Sequence, residues 1–314
     1  MIGILEAVLP VFSLVLLGFV VGRPPVFGPG AAKALGTFVF YLAMPALLFR
    51  SMAQQGLPGR DEMAIVATYY VGVVIAIPIV LATMHLLFRE GLAEAATLTL
   101  GGLFSNLVLF GVPLAVPVFG QEGLPLVLLI ITFHATVLIG GMTILVEMAR
   151  VGRDGQGPLA VIASTAVALV RNPVIVSILG GTLWGALGLG LPGIIDRTIS
   201  LLGAAGVPCA LFAMGADLVG IRVNALAGRT LVMSVFKLLV LPVVIWLVGT
   251  YVFALPPFQL SVVVVLASLP VGLNVFIFAQ RYDIHVSAVA GAVLLTTALA
   301  AVTTTLAVLW LVPR

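Results

Sequence analysis

The chain has 314 residues, of which 62% are hydrophobic and 8% charged, and its mean hydropathy is +1.31. A soluble domain of this length needs more charge than that, so lipid is the expected solvent for most of the surface. The net charge of +3 is read as a membrane-topology signal and not as a nucleic-acid footprint, and one cysteine, Cys209, excludes an intrachain disulfide.

Apolar runs bounded by charge or by Pro/Gly clusters predict ten spans, over residues 2–22, 33–53, 63–88, 94–118, 124–149, 172–190, 195–218, 229–253, 258–281 and 286–312. The first run begins "MIGILEAVLP" without a preceding Lys or Arg, so it reads as a retained span and not as a cleaved leader. The stretch 158–170, "PLAVIASTAVALV", is too short to cross alone and reads as interfacial or as an extension of the sixth span. No loop is long enough for a soluble domain.

Positive charge orients the chain. With the N-terminus outside, Arg23, Lys33, Arg89, Arg150, Arg153, Arg171, Arg222, Arg229 and Arg281 face the cytoplasm, against Arg50, Arg60, Arg197 and Arg314 opposite. Both termini are therefore expected outside, in a bacterial inner membrane.

An internal repeat is visible. "MPALLF" (Met44 to Phe49) matches "VPCALF" (Val207 to Phe212), with Pro45 and Pro208 separated by 163 residues. Ser105 and Ser268 share that offset, and Pro78 and Pro242 differ by 164. The offset equals five spans, an odd number, so residues 1–157 and 158–314 are expected as inverted five-helix repeats, an arrangement found in transporters.

The fourth and ninth spans correspond in this repeat, and both are interrupted. The fourth carries "SNLVLFGVPL" (Ser105 to Leu114) and the ninth "LPVGLNVFIFAQRY" (Leu269 to Tyr282). Proline inside a helix costs about 3 kcal/mol, and backbone groups freed in lipid must find partners. Paired breaks at one depth therefore predict a binding site lined by Ser105, Asn106, Gly111, Pro113, Ser268, Pro270, Gly272 and Asn274. Half-helix termini and the amides of Asn106 and Asn274 suit an anion. Pro10, Pro45, Pro78, Pro208 and Pro242 read as ordinary packing kinks.

Lys237 and His134 are the ionisable candidates within spans, for anion attraction or for coupling to H⁺ or Na⁺. The structural alternatives are that Lys237 answers Asp217 or snorkels to the surface, and that His134 is a satisfied core residue. Glu6 and Glu147 read as solvated helix ends, Arg50 as snorkelling, Cys209 as inert packing, and His85 and His285 as interface residues. Neither a metal-ligand spacing, a P-loop nor an enzyme's nucleophile–base pair is present, so no cofactor, metal or catalytic activity is expected.

The three motifs "SNLVLFGVPL", "RNPVIVSILGG" and "LPVGLNVFIFAQRY" resemble the auxin efflux carrier family, which includes plant auxin carriers and bacterial organic-acid permeases. The resemblance covers the whole chain. It implies an all-α fold of ten transmembrane helices in two inverted repeats, similar to bile acid–sodium symporters, with the fourth and ninth helices crossing at their broken centres and a carboxylate held beside the crossing. Asn106 and Pro113 match the first crossing motif, and Pro270, Gly272 and Asn274 the second. The long cytoplasmic loop of the plant carriers is replaced by about two dozen residues, so auxin itself is not the expected substrate. The expected function is export or exchange of small organic anions (mono- or dicarboxylates or auxin-like weak acids) by alternating access. A sodium-coupled symporter of the bile-acid type is the alternative, and a homodimer is a possible assembly.

Overall fold

A computed structural model of the protein describes residues 2–23, 30–54, 60–150, 167, 171–219 and 228–312. All regular elements among them are helical. In chain order they are α1 (Ile2–Val21), α2 (Ala31–Phe38), α3 (Met44–Ala53), α4 (Arg60–Phe88), α5 (Leu92–Leu103), α6 (Val112–Phe119), α7 (Gly123–Ala135), α8 (Gly141–Arg150), α9 (Pro173–Ala186), α10 (Gly193–Val219), α11 (Gly228–Val235), α12 (Leu241–Tyr251), α13 (Pro257–Ala267), α14 (Leu273–Tyr282) and α15 (Val286–Leu311). Each range expected as a span falls on one of these helices or on a contiguous pair. Among the described residues, six continuous stretches are long and apolar enough to cross a membrane: Ala31–Ala53, Glu62–Phe88, Gly123–Ala149, Gly193–Ala216, Gly228–Tyr251 and Val286–Leu311. The stretch 158–170 lies outside the described residues, Val167 apart.

Four π-helical turns interrupt the α-helices, at Val39–Ala43, Leu107–Gly111, Thr136–Gly140 and Phe236–Val240. Three of them end two residues before a proline, at Pro45, Pro113 and Pro242. A proline ring clashes with the carbonyl four residues back, and the wider π turn gives that carbonyl room. Those prolines thus do more than kink a helix. Pro10, Pro78, Pro117 and Pro208 sit inside α-helix instead.

The chain forms two compact units interleaved in sequence. The first comprises Met1–Arg60, Val108–Thr132 and Ala168–Ile221, and the second Asp61–Leu107, Phe133–Val167 and Arg222–Arg314.

In the first unit α10 packs on α1, α2 and α3, and α3 on α9. Glycine sets the approach of α1 to α10. A Cβ on Gly18 would lie 2.1 Å from the Phe212 carbonyl oxygen, and one on Gly215 2.0 Å from that of Val15. Between apolar helices in lipid, such close approach supplies the dispersion that a hydrophobic force cannot. Arg50 does not simply snorkel: its Nε and Nη2 donate to Asp196 Oδ1 and Oδ2 at 2.7 and 3.0 Å. The outward faces are apolar, with Leu201 76% and Ile194 84% exposed, as a lipid-facing surface requires.

In the second unit α5 packs against α8 and α11, and α13 against α12 and α15. Every α5 residue from Ala95 to Leu103 is buried, as is α13 from Ser261 to Ala267. Two half-helices therefore run to their ends inside protein, where their freed backbone groups can be answered by side chains.

Candidate functional site at two paired helix breaks

The two interruptions meet. After α5 the chain turns extended at Phe104 (φ −80°, ψ 108°), and after α13 it passes through Ser268 to Gly272 (φ −72°, ψ 143°). Ser105 and Val271 face each other as an antiparallel bridge. Asn106 N–H donates to the Pro270 carbonyl at 2.9 Å, and Gly272 N–H to the Phe104 carbonyl at 3.1 Å. A Cβ on Gly272 would come within 2.7 Å of the Phe104 ring, so glycine is what admits the approach.

Side chains answer the rest of the freed backbone. Ser105 N–H donates to His134 Nε2 at 3.1 Å, and Val271 N–H to Thr296 Oγ1 at 3.0 Å. The Ser268 carbonyl accepts from Thr304 Oγ1 at 3.0 Å, and the Ala267 carbonyl, last in α13, accepts from Lys237 Nζ. Ser105 Oγ and the Tyr69 hydroxyl lie 3.0 Å apart. Each such group left bare would cost about 1–3 kcal/mol, so these partners hold the break open as a defined shape.

This revises one part of the sequence reading. The N–H groups of Ser105, Asn106, Val271 and Gly272 and the carbonyls of Phe104, Ala267, Ser268 and Pro270 have protein partners, which leaves less of the main chain to a ligand than the breaks alone suggest. Asn274 stands in the first turn of α14 and is exposed. Asn106 is 5% and Ser268 2% exposed. Gly111 closes the π turn after the first break and Pro113 is the second residue of α6; both belong to the first unit.

Both ionisable candidates stand at the breaks. His134, 3% exposed, lies at the first, its ring 4.4 Å from that of Phe104 and 5.8 Å from that of Tyr69. Lys237, fully buried, lies at the second. Its position in a π turn of an interrupted helix brings Nζ to the negative end of α13, an end that favours positive charge. The side chain of Asp217, suggested above as its partner, is outside the described residues, as is that of Glu6.

Sequence reasoning missed Tyr69, Thr296 and Thr304. The two threonines are eight residues apart on α15, fully buried on one face of an apolar helix, and that spacing was the available signal. It also missed a polar cluster in the second unit. Glu90 Oε1 accepts from Arg229 Nε at 2.5 Å, and its Oε2 lies 3.0 Å from His285 Nε2. Burial pushes the Glu90 carboxyl up, but hydrogen bonds and charge from His285 and Arg229 outweigh it and hold the group below the usual carboxylate range. Arg89, Asp283 and His285, near it in sequence, have positive φ (55°, 53° and 45°), the latter two as the residues that cap α14 and α15. Glu147, read as a solvated end, accepts from the Tyr282 hydroxyl at 3.0 Å.

The helical architecture, its lipid-facing apolar surface and the paired breaks together define a multi-pass integral membrane protein. The chain belongs to the membrane transport protein family, whose model matches residues 3–308. It is 30% identical over 303 residues to a protein of Rhizobium meliloti named "Putative malonate transporter", covering 95% of this chain and 92% of that one. It is 25% identical over 285 residues to the "Uncharacterized transporter YfdV" of Escherichia coli K12, covering 88% of each. Auxin efflux carrier component 5 of Arabidopsis thaliana is 24% identical over 313 residues, with 90% of this chain and 89% of that one covered. These relatives bear out the likeness to auxin efflux carriers drawn from the motifs.

Proposed function

We propose that the protein is a secondary transporter for small organic anions, a dicarboxylate such as malonate first among them, working by alternating access at the paired breaks. The observation that carries this reading is the main-chain pairing of Phe104–Asn106 with Pro270–Gly272, with Lys237 buried beside it. A break paired in this way resists collapse, and Asn106 and Asn274 bring amide side chains to it that suit carboxylate oxygens. Ser105, Ser268, Pro270 and Gly272 shape the site within the second unit. The relative named for malonate supports a short carboxylate.

The ten-span inverted repeat, both termini outside and residence in a bacterial inner membrane belong to this reading. Support comes from the unit composition. Met1–Arg60 and Ala168–Ile221 fall together, as do Asp61–Leu107 and the chain from Arg222, pieces about one repeat offset apart. A membrane potential, inside negative, would favour expelling an anion by roughly 2.3 kcal/mol per charge per 100 mV.

Sodium coupling is the second reading. Against it, the Lys237 ammonium already answers the Ala267 carbonyl, where a bound cation would otherwise find an oxygen. A thermal-shift series on purified protein against mono- and dicarboxylates, with and without sodium, tests both. Stabilisation by short dicarboxylates independent of sodium is expected. Stabilisation only with sodium favours the symporter, and none by any carboxylate rejects the anion reading.

A further inference from the structure

The contact between Ser105 N–H and His134 Nε2 fixes more than a distance. A backbone N–H is always a donor, so Nε2 must be the bare nitrogen of the imidazole. The neutral ring therefore carries its proton on Nδ1, and Nδ1 is buried without a partner among the described residues. A second proton could enter only at Nε2, where it would meet the Ser105 N–H head-on. His134 can be protonated only after Ser105 has let go.

We propose that His134 is a positioning residue that latches the first break only in its neutral form, so that a proton at Nε2 releases Ser105 and loosens the pairing with the second break. The groups facing it agree with a ring held neutral. Lys237 stands on the π turn Phe236–Val240, Tyr69 packs edge-on from α4, and Tyr70 stands next to Tyr69. Glu147 on α8 is engaged by Tyr282. No carboxylate among the described residues is hydrogen-bonded to the ring. Release brings the ring to water, where an imidazole has its ordinary pKa of about 6.5. Acidifying from about pH 7.5 to about pH 5.5 then stabilises the unlatched state about tenfold. Proton supply would thus bias the site; that consequence rests on the transport reading above, whereas the latch itself does not.

Hydrogen–deuterium exchange of the purified full-length protein, corrected for intrinsic rates, tests the latch directly. In the wild type, protection of the Ser105 amide should fall about tenfold across that pH interval. In His134→Gln, whose side-chain oxygen can accept the same N–H but does not titrate, protection should persist and stay flat with pH. His134→Ala should lose it at both pH values. Selective ¹⁵N-imidazole spectra, assigned by the missing resonance of His134→Gln, should show protonated Nδ1 and bare Nε2 at neutral pH. The inference is overturned if His134→Gln shows the wild-type pH dependence, or if the spectra show a proton on Nε2. Malonate uptake into proteoliposomes separates the two claims: exchange data as expected with no malonate transport in any variant would leave the latch standing and sink the transport reading.

Discussion

Ser105 and Val271 are a non-hydrogen-bonded antiparallel pair: the bonds flanking them run from Asn106 to Pro270 and from Gly272 to Phe104. Their own N–H groups turn away, to His134 and Thr296. Two helices broken in sequence positions about 160 residues apart thus share one short ladder, and each break is half of the other's solution.

Paired residues of this kind bring their Cα atoms to about 4.5 Å, within reach of a disulfide. In a Cys209→Ser background, the double substitution Ser105→Cys and Val271→Cys should crosslink under mild oxidation. Mass spectrometry of the peptide digest would find the linked pair. Two free thiols under those conditions would mean that the breaks do not meet.

Gly272 controls the approach. In Gly272→Ala the new methyl would press within 2.7 Å of the Phe104 ring, which itself lies on His134. A loss of about 1–3 kcal/mol in stability is expected, read as a lower melting temperature in detergent. Phe104→Leu in the same chain should restore part of it, since the smaller side chain vacates the contact. No restoration would place the strain elsewhere.

Lys237 separates charge from structure. Lys237→Met keeps the length of the side chain and removes the ammonium beside α13. Malonate affinity should fall roughly tenfold, and affinity for the neutral diamide analogue should change little. Equal losses for both would assign Lys237 to holding the Ala267 carbonyl alone.

The Glu90 cluster predicts a pH-dependent stability. Its carboxyl is held below the usual carboxylate range, so its contribution is complete above the ordinary value of about 4.3 and is lost as pH falls through the lower native one. Glu90→Gln should therefore melt below the wild type at neutral pH, and the gap should close as the pH falls below the ordinary carboxylate range. A constant gap would show that charge at Glu90 contributes nothing.

Much of this was legible in the chain. Apolar runs bounded by charge or Pro/Gly clusters located the helical stretches among the described residues, and the duplicated Pro, Gly and Asn located both breaks, because a long helix in lipid can be interrupted only for a reason. What sequence did not carry was the partner list. Thr296, Thr304 and Tyr69 satisfy the breaks from distant helices, and nothing local distinguishes a threonine bonded to its own helix from one bonded across the core. The pairing of Asn106 N–H with Pro270 and of Gly272 N–H with Phe104 across the two breaks was not legible for the same cause. Arg50 was read as snorkelling and Glu90 was passed over because their partners, Asp196, Arg229 and His285, lie 139 to 195 residues away.

The central claim is that the joined breaks hold the passenger's carboxylate. Equilibrium binding of radiolabelled malonate to purified wild type, Asn106→Ala and Asn274→Ala, each checked for an unchanged melting temperature and a monodisperse profile, tests it most directly. Saturable binding by the wild type, weakened at least about tenfold in each variant, is the predicted result. Malonate bound equally well by all three folded proteins would contradict it.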